Sequence, residues 1–301
     1  MRVVIKATRD TAGKRELTHE RDCRAFLAKI RFAYDTFFSP EEILFLEREG
    51  FLVSVQAYIA QSTTFLERPV REQFMLALNA FKAQESAHAT TYEHARSIRK
   101  IFGSMNAAEY EGAFKQFREC VRSAAETKHL EPLLERASKS LTGNTRVIEQ
   151  YTGFLTHTDF VPHNFRVVGS NIYLLDHSSL RFGNKYEGWA RFLNFMALYN
   201  RELEVALSTY VQVNRAPEEY QALQQMRIYR LGEILCYYVR TLPQSEGDLR
   251  ALNIERIKFW SSLLEAILNG TSLPESCIEA YKKVRDSLRS TEEKVRQQGL
   301  H

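Results

Sequence analysis

A chain of 301 residues with 44% hydrophobic and 26% charged side chains is long enough to bury a substantial core, in one large domain or in two lobes sharing a cleft. Its formal net charge of +4 is mild, and Lys and Arg are interspersed with Glu rather than gathered in runs, which argues against nucleic acid while suiting a cleft for an anionic nucleotide. Charged residues interrupt the apolar runs before they could span a bilayer, and residues 1–10 lack the hydrophobic stretch of a secretion signal, so a cytoplasmic protein with no membrane partner is expected.

In chain order, the β-branched run Val3-Val4-Ile5 ending in Lys6 predicts a strand, followed by a polar connection through Gly13. Leu17, Cys23, Phe26, Leu27 and Ile30 recur at helical spacing and predict an amphipathic helix over 16–32. Strand-like runs at 42–46 and 51–58, joined by Glu47-Arg48-Glu49-Gly50, predict a tight hairpin. From position 61 helices dominate: one from Pro69 towards 101, then 107–128, 131–151, 186–213, 217–242, 247–268 and 274–298. They are interrupted once, at 154–176, where a polar loop precedes two apolar runs, 165–168 and 171–175, across a Gly169-Ser170 turn. Cys23, Cys120, Cys236 and Cys277 lie far apart without a Cys-x-x-Cys pair, so reduced, mostly packed thiols are expected.

The interruption carries the chemistry. It sets Asp159 and Asn164 on one short loop and returns the chain to Asp176 after a hairpin, so three oxygen-bearing side chains can converge. Phosphoryl transfer needs such a set: a carboxylate to accept the proton of an attacking hydroxyl, and hard oxygen ligands for magnesium. Singly, each residue has an ordinary reading as a turn former or strand end. Together, an Asp, an Asn five positions on and an apolar hairpin ending in Asp follow the order of the protein-kinase catalytic loop.

His157-x-Asp159-x-x-Pro162-x-Asn164, followed by Ile172-Tyr173-Leu174-Leu175-Asp176, resembles the catalytic signatures of aminoglycoside phosphotransferases, choline kinases and related small-molecule kinases. The resemblance runs from Lys6 to Leu198 and more loosely beyond. It implies an α+β, protein-kinase-like two-lobe fold: an incomplete N-terminal β lobe of strand, helix and hairpin at 1–60, and a large, mainly helical C-terminal lobe at 61–301 carrying the catalytic segment 154–180. It also implies ATP as donor, Mg2+ as cofactor and a small-molecule hydroxyl as acceptor.

By the same resemblance Asp159 is the catalytic base, Asn164 and Asp176 hold magnesium, and His157 supports the loop from behind. Lys6 grips the phosphates and pairs with Glu20, or failing that Glu16, while Gln56, Tyr58 and their neighbours form the adenine-binding connection. The chain departs from the family pattern in three places: five residues precede Lys6 where relatives have two strands and a phosphate-covering loop, His163 stands where they have Gly, and at 183–190, where relatives often carry Gly-Asp and later Asp-Leu-Ala, the second Asp is absent.

Two other readings start from the same residues. A nucleotide-binding pseudokinase would keep the cleft without turnover. A non-haem iron enzyme would use His157 and Asp159 with His163 or His177 as a facial set. Glu85 and His88 have the spacing of a di-iron bundle ligand pair, but the required second copy is missing. The acceptor's identity and the oligomeric state are not encoded in any recognisable motif.

Overall fold

The computed structural model describes residues 2–32, 36–291 and 294. The chain divides into two compact units, one built from the residues up to Ser104 together with Gly153–Gly188, the other from Met105–Thr152 and the chain from Trp189 onward.

The first unit opens with β1 (Val3–Thr8) and α1 (Thr11–Leu27). The helix begins earlier than the apolar periodicity predicts because Asp10 caps it, its carboxylate accepting from Gly13 N at 2.9 Å. What reads as a connection through Gly13 is therefore the first helical turn, and glycine fits there because a Cβ would lie 2.6 Å from Thr8 Oγ1. The helix also stops at Leu27, short of the expected residue 32. β2 (Glu42–Arg48) and β3 (Phe51–Ala57) form the expected hairpin. Glu49 and Gly50 both take left-handed backbone, φ 53° and 80°, the two-residue turn that suits the twist of the strands.

The three strands lie in the order β1-β3-β2, antiparallel, with Lys6 opposite Ser54. Directly opposed residues share a face, so Lys6 projects from the side on which β3 buries Leu52, Ser54 and Gln56. That side meets α1, where Glu20 and Arg24 lie one turn apart and are both buried.

The single helix expected from Pro69 towards 101 is three: α2 (Val70–Ser86), α3 (His88–Glu93) and α4 (Ala95–Phe102). The breaks at Ala87 and His94 redirect the chain so that α4 buries Ile98 and Phe102. In the returning segment, β4 (Phe154–His157) pairs with β7 (Leu180–Gly183), and β5 (Phe165–Val168) pairs with β6 (Asn171–Leu174) across the Gly169 turn. Phe160 and Phe165, either side of Asn164, are sunk into an aromatic core with Phe81 and Phe65, at centroid distances of 4.9 and 5.3 Å. The polar loop is thus anchored at both ends by burial of aromatic area.

The second unit is helical: α5 (Ala107–Ser123), α6 (Glu131–Gly143), α7 (Thr145–Gln150), α8 (Glu187–Tyr199, its first two residues in the first unit), α9 (Arg201–Asn214), α10 (Pro217–Thr241), α11 (Gly247–Leu268) and α12 (Glu275–Leu288). The helix expected over 131–151 breaks at Asn144. The one expected over 186–213 breaks at Asn200, whose Oδ1 caps α9 by accepting from Leu203 N. The helix expected over 107–128 ends at Ser123 and continues as a 3-10 turn, Ala125–Leu130. α12 is shorter than expected, and residues 292, 293 and 295–298 of that expectation lie outside the described residues. Among the described residues, no helix is long and apolar enough to cross a membrane.

Candidate active site

Five of the residues singled out by sequence stand close together in the first unit. Lys6 Nζ lies 2.7 Å from Glu20 Oε2, and Glu20 is 5% exposed. Glu20 also accepts from Arg24 Nη1 at 2.9 Å, and Arg24 Nη2 reaches Glu42 on β2 at 3.1 Å. The carboxylate is therefore held between two cations, and of the two candidates for the lysine's partner it is Glu20 that is paired. Lys6 Nζ also donates, at 3.4 Å, to the carbonyl of Leu175, 169 residues away in sequence and immediately before Asp176.

The polar loop closes on itself. Asn164 Nδ2 donates to Asp159 Oδ2 at 2.6 Å and to the Asp159 carbonyl at 3.0 Å. Leu175 N donates to Asn164 O at 2.9 Å, so the β5–β6 hairpin sets Asp176 beside the loop. A second lacing joins the segments from behind: the fully buried His157 shares a 2.6 Å hydrogen bond between Nε2 and the Asp176 carbonyl, and Thr158 donates from both N and Oγ1 to Ser179 O.

Asp176, two residues past β6, caps the 3-10 turn His177–Ser179. Its Oδ1 accepts from Ser178 N and Oγ, and its Oδ2 from Ser179 Oγ at 2.5 Å. Burial works to raise its pKa, but the hydrogen bonds from Ser178 and Ser179 and the neighbouring His157 outweigh that and hold the carboxyl below its usual range. It is charged at neutral pH. His177, one residue on, is buried against α1. Burial, then the proximity of His157 and Arg24, pushes its pKa down to about 3, so the ring is neutral.

Several contributors were not visible in the sequence. Arg24, Glu42, Ser178 and Ser179 are defined only by partners brought in by folding. Gly188, at the start of α8, is another: a Cβ there would lie 2.6 Å from the His157 carbonyl and 2.9 Å from Thr156 Oγ1, so the helix rests directly on the strand that launches Asp159. Beneath that strand Arg181 pairs at 3.3 Å with Glu187, which is fully buried.

The adenine-connection residues are placed differently from one another. Gln56 lies inside β3 with strand partners on both sides, opposite Val4 and Glu42, and its carboxamide oxygen accepts from Arg24, at 3.2 Å for Nη2. Its backbone is thus committed to the sheet and its side chain to the Glu20 cluster. Tyr58 lies just past the strand, 42% exposed, with its N–H donating to Arg2 O.

The donors at Asn164 and Asp176 suit a hard divalent cation. With its Nδ2 committed to Asp159, Asn164 presents Oδ1, and Asp176 is an ionised carboxylate. The iron reading finds no support in this geometry. His157 spends Nε2 on a backbone carbonyl, and among the described residues no three His, Cys, Asp or Glu side chains gather as a metal site.

No protein-family model matches this chain, and no curated protein matches it in sequence. Solved structures do match in fold. The GDP and kanamycin complex of APH(2")-IIia aligns over 89% of this chain and 87% of its own, with TM-score 0.58 and 12% identity. Aminoglycoside phosphotransferase APH(4)-Ia aligns over 89% and 86%, with TM-score 0.57 and 14% identity. ADP-bound aminoglycoside phosphotransferase APH(2'')-Ib aligns over 88% of both chains, with TM-score 0.55 and 13% identity. The fold is thus α+β and kinase-like, that of the aminoglycoside phosphotransferases, with the strand, helix and hairpin at its start and a large helical part.

Proposed function

We propose that this protein is an ATP- and magnesium-dependent phosphotransferase that moves a γ-phosphoryl group to the hydroxyl of a small molecule. The observation that carries this reading is the placement of the Lys6 ammonium, 2.7 Å from Glu20 and 3.4 Å from the carbonyl preceding Asp176, beside a loop in which Asn164 holds Asp159. A half-exposed lysine on a short strand is ordinarily a solvated one. Here a buried carboxylate fixes its direction towards the hairpin that ends in Asp176.

In this reading Lys6 binds the donor's phosphates, and Glu20, itself steadied by Arg24, keeps the ammonium aimed. Residues 1–60 supply the nucleotide side of the cleft and residues 61–301 the remainder. Tyr58 and the backbone after it contact the base, with Gln56 standing behind them as a support of the Glu20 cluster. Asp159 accepts the proton of the acceptor hydroxyl, and Asn164 Nδ2 holds its carboxylate in the orientation that aims the hydroxyl in line. Asn164 Oδ1 and Asp176 would hold magnesium, which when bound neutralises charge on the transferring phosphate. ADP-bound and GDP-bound neighbours of the same fold support nucleotide binding, and the kanamycin in one of those complexes supports a small polyhydroxylated acceptor class. The protein is expected to act in the cytoplasm.

The test is nucleotide turnover against a panel of hydroxyl compounds with magnesium present, run on the protein and on Asp159→Asn. Acceptor-dependent ADP release that falls at least about 100-fold in the variant is expected. Equal turnover in both would remove Asp159 from the mechanism, and nucleotide binding without turnover in either would favour the pseudokinase.

A further inference from the structure

Outside the site, two thiols lie along the seam between α5 and α10 of the second unit. α5 and α10 run side by side in the same direction, with Tyr110 against Tyr229 at 4.8 Å and Gly232 against the Phe114 ring. A Cβ at Gly232 would lie 2.3 Å from that ring, so the two backbones approach as they do only because the side chain is a hydrogen. Further along the same seam the Cys120 thiol donates to the Cys236 carbonyl at 3.5 Å, which sets Cys120 against Cys236. Arg240, exposed one turn beyond Cys236, lies near both thiols. Cys120 is half-buried and Cys236 buried, so a solute can reach the first and not the second.

We infer that Cys120 and Cys236 form a peroxide-sensitive dithiol that closes into a disulfide between α5 and α10. Cys120, reachable from solvent, is the attacking sulfur; Cys236 is the resolving one. In the first step the Cys120 thiolate attacks one oxygen of hydrogen peroxide. The O–O bond breaks, a sulfenic acid forms, and the departing hydroxide takes up the thiol's proton as water. In the second step the Cys236 sulfur attacks the sulfenic sulfur, the S–O bond breaks, and the hydroxyl leaves with the Cys236 proton as a second water. Two thiols are oxidised by one peroxide, and no further reductant or oxidant is needed. Burial pushes the Cys236 thiol up to about 12, with Cys120 beside it adding to the effect, so it stays protonated until the adjacent sulfenic acid draws it in. Cys23, buried in the first unit, and Cys277, exposed on α12, have no sulfur partner of this kind among the contacts described.

The bridge joins positions 116 residues apart, and closing a loop of that length restricts the unfolded chain. The experiment treats the purified full-length protein with hydrogen peroxide, blocks the remaining thiols, and maps disulfides by mass spectrometry of unreduced peptides. A cross-link between the Cys120 and Cys236 peptides, with the loss of two hydrogen atoms, is expected, together with a rise in melting temperature of roughly 5 °C that a thiol reductant reverses. Cys236→Ser should leave Cys120 trapped as sulfenic or sulfinic acid, and Cys120→Ser should leave Cys236 unmodified. Circular dichroism of both variants before oxidation checks that they fold. Peptides that stay reduced in folded wild-type protein, a bridge to Cys23 or Cys277 instead, or oxidation of Cys236 undiminished in Cys120→Ser would overturn the inference.

Discussion

Glu20 binds Lys6 and Arg24 at once from a position where it is 5% exposed, so its charge is worth more than that of a surface pair. Glu20→Gln is expected to raise the KM for nucleotide about 10-fold and to lower unfolding stability by about 3 kcal/mol, read by steady-state kinetics and denaturant titration. An unchanged KM would mean that Lys6 is aimed without it. Gly188→Ala tests a different kind of residue. Its methyl group would press on the His157 carbonyl, two residues before Asp159, so kcat is expected to fall about 10-fold or more while nucleotide affinity stays within about 2-fold. A fall in affinity with kcat preserved would place the disturbance elsewhere. His177 gives a pH signature. Its pKa drops from 6.5 when the chain is unfolded to about 3 when folded, so the unfolded state takes the proton first. Stability is therefore complete above about 6.5 and declines towards about 3, at up to about 1.4 kcal/mol per pH unit. Replacement by Phe should flatten that slope in denaturation curves measured across the window. The convergence of Asp159, Asn164 and Asp176 could be expected from spacing, because one short loop and a hairpin carry them, whereas Lys6 was singled out only by the family resemblance. Arg24, Ser178, Ser179 and Gly188 could not, since nothing local distinguishes a serine that caps a distant function from one that ends a strand.

Hairpins and helices differ in how plainly they are written. The Glu49-Gly50 and Gly169-Ser170 turns were legible because positive φ demands particular residues at particular places. Helix ends were less so: Asn144 and Asn200 interrupt apolar patterns that continue in register on both sides, and Asp10 starts α1 ahead of any apolar signal. A side-chain cap, not periodicity, decides the boundary at Asn200 and Asp10. The closeness of α5 and α10 was likewise invisible, because it depends on one hydrogen atom at Gly232. Gly232→Ala is expected to lose about 1–3 kcal/mol through overpacking against Phe114, measured by chemical denaturation. A neutral result would mean that the Phe114 ring has room to swing aside.

At the scale of the molecule, the fold class could be inferred from the order of its elements, and the site from two segments separated by most of the chain. Position 6 meets position 175 only after four α-helices and five strands of the first unit, and the whole excursion through 105–152, have been laid down between them. In the proposed reading, that long-range closure makes one phosphate-binding site of a lysine on β1 and the aspartate that follows β6. It is tested most directly by calorimetric titration of a non-hydrolysable ATP analogue into the protein and into Asp176→Ala, each with and without magnesium. Binding that is strengthened at least about 10-fold by magnesium in the protein, with that magnesium gain lost in the variant, is the expected result. Equal magnesium dependence in both would contradict the assignment of Asp176 to the cation and, with it, the phosphotransfer site.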